Sequence, residues 1–278
     1  MMRAYAEAVA ARRARTALGL VILLLLAAVS AHVSEVDIGK FVDHIGGVGG
    51  YFDRTLRLES GARVWTDPAD WLWGWKRWGR LLVDTLLIAY LGTVLGVIAG
   101  FFLCFLAAEN LTRSRPLRFA VRRFLEACRT VPEIVFALVF VVAFGLGPLP
   151  GVLAILIHTM GAMGKLFAEV VENIDMNPVE GATASGAGWV QVVRFAVVPQ
   201  VLPNFASYSL LRFEINVRGA AVMGFVGAGG IGQDLVEAIR KFHYSDVSAI
   251  LLILIATVMV IDLLTERLRH RLMGRGAA

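Results

Sequence analysis

Arg212, Glu214, Asn216 and Arg218 fall inside a stretch, residues 201–226, that is otherwise apolar. A charge at mid-bilayer costs about 2.5–3.5 kcal/mol even on insertion scales, so such side chains face a helix-bundle interior or a water-filled path. Arg212 with Asn216, and Glu214 with Arg218, are four residues apart, which stacks each pair on one helix face. Two readings follow: a cationic lining that lets an anion pass, or a satisfied structural network between helices or subunits. His158, Lys165 and Glu169 share another helical face, but no nucleophile–base pair can be assigned among them. His32, His44, His243 and His270 are scattered without HExxH spacing, so the chain is not expected to be an enzyme. Gly227, Gly229 and Gly232 match GxGxxG literally. A dinucleotide site needs a soluble strand before that motif; here an apolar helix precedes it, and a tight bend is the better reading. No GxxxxGK[ST] occurs anywhere, so ATP and Mg are not expected as cofactors of this chain. ATP-driven work would need a separate ATPase polypeptide.

The elements that must position these residues are read from composition. Of 278 residues, 58% are hydrophobic and 18% charged, below the roughly 25% charged of a soluble domain. A bilayer core of about 30 Å needs about 20 apolar residues per helix. The fold class is therefore an all-α polytopic membrane protein with about six transmembrane helices, at 17–33, 81–107, 131–146, 152–171, 202–226 and 247–264. The net charge of +5 comes largely from arginines near span ends and reports orientation, not nucleic acid. Arg113, Arg115, Arg118, Arg122, Arg123 and Arg129 form the strongest inside signal, joined by Arg267, Arg269, His270, Arg271 and Arg275 in the tail. The first run, behind Arg12, Arg13 and Arg15, reads as a retained span or a cleaved signal. Two regions are expected: 1–80, an N-terminal arm with the first span and an outer interfacial segment, and 81–278, the transmembrane domain. Within 34–80, Gly46, Gly47, Gly49 and Gly50 are expected to break any helix. Asp67-Pro68 should start one, and Trp71, Trp73, Trp75 and Trp78 fit a headgroup layer. Gly92, Gly96 and Gly100 form a ridge for close helix approach. Cys104 and Cys128 suggest neither a disulfide nor a metal site.

The alternation of spans puts the polar stretch 172–201 in the cytoplasm. Within 177–204 the sequence NPVEGATASGAGWVQVVRFAVVPQVLPN reads as a helix–turn–helix: Pro178 opens one helix, Gly186 and Gly188 punctuate it, and a second amphipathic stretch ends at Pro199 and Pro203. Glu180, Gly181, Ala182, then Gly186, then Pro199 resemble the EAA loop of ABC importer permeases. Gly181, Ala196 and Val198 depart from that pattern but remain small or apolar. Segments 129–133 (RTVPE), 158–164 (HTMGAMG) and 218–232 (RGAAVMGFVGAGGIG) look like the phosphonate permease branch. The resemblance implies a bacterial inner-membrane homodimer and a cytoplasmic ABC ATPase dimer that binds ATP and Mg. It implies an extracytoplasmic substrate-binding protein, and alternating access driven through the loop. Both termini would be cytoplasmic if the first span is retained. The substrate would be a phosphonate or related phosphorus oxyanion, with Arg212, Glu214, Asn216 and Arg218 as the candidate anion pathway. A secondary transporter with a coupling-ion site at Glu214 or Glu169, or a membrane scaffold, are the alternatives.

Overall fold

The computed structural model describes residues 2–34 and 37–274, and every regular element among them is a helix. Arg275 lies outside the described residues. The chain divides into two compact units, Met1–Arg54 and Thr55–Ala278. The stretch 55–80, grouped from sequence with the N-terminal arm, falls in the second unit.

The first unit holds α1 (Met2–Val33) and all but the last residue of α2 (Ile38–Thr55). Residues 10–33 of α1 are long and apolar enough to cross a bilayer, and none of that apolar window is buried. The four glycines do not break α2. Asp37 caps it by accepting from the Lys40 N–H at 3.0 Å. Each glycine costs about 1 kcal/mol relative to alanine. The 3.6-residue spacing of Phe41, Ile45, Val48 and Phe52 supplies an apolar face that outweighs this where a partner surface exists.

The second unit is built on a glycine seam. Gly92, Gly96 and Gly100 of α4 (Trp75–Ala107) lie against α7 (Pro148–Glu172). A Cβ at Gly92 would stand 2.7 Å from Ile155 Cβ, one at Gly96 2.7 Å from Thr159 Cβ, and one at Gly100 2.9 Å from the Gly164 nitrogen. These distances leave room for hydrogen only. Gly96→Ala should therefore overpack the seam and cost about 1–3 kcal/mol. Thermal unfolding in detergent checks this; an unchanged midpoint would mean the two helices are free to separate.

The third expected span is different in the structure. Residues 131–146 contain only α6 (Glu133–Phe144), 12 residues long. At 1.5 Å per residue that is about 18 Å, too short for a bilayer. It is paired at an 85° bend with α5 (Arg115–Thr130), which carries much of the arginine cluster. Val131-Pro132 makes the bend, because proline disfavours helix at the residue before it. Four described helices are long and apolar enough to span, or up to six elements if each of two bent pairs is one span.

The fifth expected span is α10 (Val198–Met223), and it does not start afresh after the prolines. α8 (Asn177–Ala184) is separate, but α9 (Trp189–Val192) runs through a wide turn at Val193–Val197 straight into α10. The Val198 N–H reaches back five residues to the Val193 carbonyl. The widened turn ends where the Pro199 ring would otherwise press on the carbonyl four residues earlier. Pro203 then sits inside α10.

Beyond α10, Gly227, Gly229 and Gly230 all take positive φ, and Gly232 approaches so closely that a Cβ would lie 2.0 Å from the Ala221 carbonyl oxygen. The GxGxxG match is thus a bend into α11 (Ile231–Arg240), followed by α12 (Tyr244–Gly274). Asp67 caps α3 (Pro68–Trp71) as expected, accepting from the Asp70 N–H at 3.1 Å. The tryptophans divide. Trp73 and Trp75 are exposed, whereas Trp78 is buried with Ile231, Leu235 and Val247. Trp71 Nε1 donates to Ser248 Oγ at 3.0 Å and Trp73 Nε1 to Asp246 Oδ1 at 3.0 Å, so they tie α3 and its neighbour to α12.

Candidate functional site

The four polar residues of α10 separate into two pairs. Two positions along a helix rotate a side chain by about 200°, so Arg212–Asn216 and Glu214–Arg218 point to opposite sides. Arg218 bonds Glu214 and lies 3.9 Å from Asp262 of α12, and its side chain is half exposed. Arg212 and Asn216 instead turn inward, 9% and 0% exposed. The two i,i+4 pairs read from the sequence thus face different surroundings, one the bundle interior and one α12.

Around Arg212 the fold assembles residues from three other helices. Its Nη2 donates to Glu133 Oε1, at the first turn of α6, and lies at hydrogen-bond distance from His158 Nδ1 of α7. His158 Nδ1 is also 2.9 Å from Glu133 Oε1. Arg212 Nε reaches Thr159 Oγ1 at 3.4 Å, and Asn216 Nδ2 donates to Thr159 Oγ1 at 2.9 Å and to Thr93 Oγ1 of α4 at 2.8 Å. Among the described residues, the Asn216 Oδ1 acceptor is buried with no hydrogen-bond partner. Glu133 fits there because Gly219 has no side chain; a Cβ would meet Glu133 Oε2 at 2.9 Å. The glycine seam of α4 brings Thr93 and Thr159 together, so the same packing that closes the bundle builds the network.

Glu133, Thr93 and Thr159 were missed from sequence as site residues. The available signal was Glu133 itself, a carboxylate opening an apolar run behind Pro132. His158, grouped from sequence with Lys165 and Glu169, parts from them: Lys165 faces Glu169 at 3.6 Å on the exposed side of α7. The carboxylates nominated for a coupling ion, Glu169 and Glu214, each pair with a basic side chain of their own helix, Lys165 and Arg218.

The second constellation is the loop between α7 and α10. Val179, Val192, Val193, Ala196 and Val197 are buried with Phe105, Phe167 and Phe205, whose last two rings stack at 3.9 Å. Glu180, Gly181, Gly186 and Pro199 are exposed, and Ala182 is half-buried. The turn after α8 closes by two backbone bonds: the Gly186 N–H donates to the Thr183 carbonyl at 3.0 Å and the Ala187 N–H to the Ala182 carbonyl at 3.2 Å. This is a Schellman motif, and it places Gly186 at φ +83°. Trp189 Nε1 donates to the Leu111 carbonyl at 3.3 Å, bordering a cleft of about 590 Å³ lined also by Leu106, Leu117, Val179 and Val192. Behind the loop, Arg122 of α5 bonds Glu172 and donates to the Ala107 carbonyl at 2.8 Å, while Asn110 Nδ2 donates to the Val171 carbonyl at 2.8 Å. The loop is therefore a polar, exposed rim on a fixed apolar base.

Gly181 has no such requirement. It lies inside α8, and nothing stands within 4 Å of a Cβ there. Gly181→Ala should raise stability by about 0.4–1 kcal/mol through the unfolded chain's lost freedom. Unfolding of the purified chain in detergent measures it; a loss of stability would mean that Gly181 meets an atom not seen around it.

Comparison with known proteins bears on both constellations. The Phosphite transport system permease protein PtxC of Stutzerimonas stutzeri is 46% identical over 197 residues, covering 70% of this chain and 71% of the relative. The Phosphate-import permease protein PhnE of Mycolicibacterium smegmatis is 41% identical over 71% of this chain, but the match spans only 37% of that protein. In fold, the chain is similar to an inward-facing MetNI methionine ABC transporter structure, with a TM-score of 0.61 at 20% identity, covering 74% of this chain and 98% of that one. The family model described as "Binding-protein-dependent transport system inner membrane component" matches residues 92–275, which include the glycine seam, the buried network and the loop. The chain belongs to that family: it is a membrane permease subunit of a binding-protein-dependent transport system.

Proposed function

We propose that this chain is the membrane permease of an ATP-driven importer for a phosphorus oxyanion, a phosphonate or phosphite. It works as a homodimer with a cytoplasmic ABC ATPase dimer and receives substrate from an extracytoplasmic binding protein. In this reading the 172–201 loop is cytoplasmic, as are both termini when the first span is retained, and the protein resides in a bacterial inner membrane. ATP and Mg belong to the ATPase. The observation that carries the reading is the geometry of α8 and the turn that ends it: Glu180 is exposed on the helix and Gly186 in the turn, while Val179 on the other side of α8 is fixed in the core. A lever needs both properties, a free face for a partner and a rigid attachment to the spans. The substrate class rests on relatives named for phosphite, phosphate and phosphonate transport, together with Arg212 and Arg218 on the α10 helix. Glu180, Gly181, Ala182, Gly186 and Pro199 form the coupling surface. Transport proceeds by alternating access as ATPase closure pulls the loop and α10 moves with it, since α9 and α10 are continuous. Arg212 lines the anion path, its Glu133 bond holding the closed arrangement.

The test is reconstitution of the permease with its neighbouring ATPase and binding protein in liposomes. Uptake of labelled methylphosphonate or phosphite should require ATP and an intact nucleotide cleft. Uptake that continues with the cleft disabled would overturn the coupling model; ATP-dependent uptake of an unrelated solute alone would overturn the substrate class.

A further inference from the structure

We infer that α2 is a membrane-surface helix whose apolar face is seated in the headgroup–acyl boundary of a lipid bilayer. Phe41, Ile45 and Val48 fall within about 60° of the helix circumference, and they are 65%, 55% and 54% exposed. Lys40, Asp43, Gly47 and Gly50 occupy the opposite arc. A helix with one apolar and one polar side lies in the interface plane, its apolar face about 5–10 Å deep. Lipid is the occupant because of what precedes it. The apolar 10–33 stretch of α1 is long and apolar enough to cross a bilayer and has none of its span window buried, which is the composition of a lipid-facing helix, and it is taken here as a retained span. α1 ends at Val33 and α2 begins at Ile38, and the five Cα–Cα steps between those ends reach at most about 18 Å. The first turn of α2 is thereby held at the surface that α1 leaves. α2 is not itself a span, because 18 residues carry Lys40, Asp43, Asp53 and Arg54. Those two cations and two anions cancel, so seating depends on apolar area and not on anionic lipid.

The inference is independent of the importer reading, because its readout does not involve transport. The full chain is placed in zwitterionic phosphatidylcholine liposomes with single nitroxide labels at F41C, I45C, V48C, D43C, G47C or G50C. The native Cys104 and Cys128 are buried and take up little label. Collision with oxygen should exceed collision with a water-soluble nickel chelate several-fold at 41, 45 and 48, and the ratio should invert at 43, 47 and 50. High salt or added anionic lipid should leave the pattern unchanged. Nickel dominance at all six positions places the face in water and overturns the proposal. Exclusion of both reagents at 41, 45 and 48 assigns the face to a protein partner, a second copy included, and overturns it equally.

Discussion

Glu133→Ala lowers the stability of the detergent-solubilised protein by about 3–5 kcal/mol, the cost of leaving a buried charge without its partner. The stranded charge is Arg212, 9% exposed, whose remaining contacts are His158 and Thr159, neither of them a carboxylate. Equilibrium unfolding in mixed micelles reads the loss. A change below 1 kcal/mol would show that water reaches Arg212 and that the network is not a closed one. Glu133→Gln is milder, because an amide oxygen still accepts from Arg212 while its charge is gone. The double change Glu133→Gln with Arg212→Gln removes both charges together and recovers most of the stability, since the penalty belongs to the unpaired ion and the two residues are in contact. That variant also separates the two readings of Arg212. If the arginine is only structural, stability and uptake return together. If it lines the anion path, stability returns and uptake stays low.

How much of this was legible in the sequence depends on the range of the interactions involved. The ridge of Gly92, Gly96 and Gly100 was read correctly, because residues one turn apart always share a helix face. So was Gly186, because a glycine bounded by two short amphipathic stretches marks a turn. Hydropathy located the long spans but not the bent α5–α6 pair, since 131–146 is apolar whether or not it crosses a bilayer. The four α10 residues were read as two i,i+4 pairs, each out of place in lipid. The 200° rotation between the pairs was available, but which side faced α7 was not. Glu133 escaped for a related reason. Its partner is 79 residues away, and only the packing of α6, α7 and α10 brings the two together. The glycines of α2 were overweighted: local propensity argued against a helix, and an apolar face that depends on a second surface argued for it.

Gly186→Val should abolish coupled uptake while leaving the bundle folded. The reason is backbone conformation and not size. Gly186 sits at φ +83°, and nothing lies within 4 Å of where a Cβ would project. A β-branched residue in that region costs about 1–3 kcal/mol. The cheapest relief is to open the two turn bonds to Thr183 and Ala182, which lets α8 swing from its fixed angle. The base of the loop, Val192, Val193 and Val197, shares its core with Phe105, Phe167 and Phe205 of the long helices as well as with Val179 of α8, so the spans keep their arrangement when α8 swings. In reconstituted complexes this variant should therefore insert normally, hydrolyse ATP without stimulation by loaded binding protein, and lose uptake by more than tenfold. A graded series isolates the cause. Asn tolerates the left-handed region better than Ala, and Ala better than Val, so coupling should fall in the order Gly, Asn, Ala, Val. If the partner surface were instead crowding the position, Ala would be tolerated better than the larger Asn. Normal coupling in the Val variant would remove the rigid turn from the mechanism and leave the loop a connector between α7 and α10.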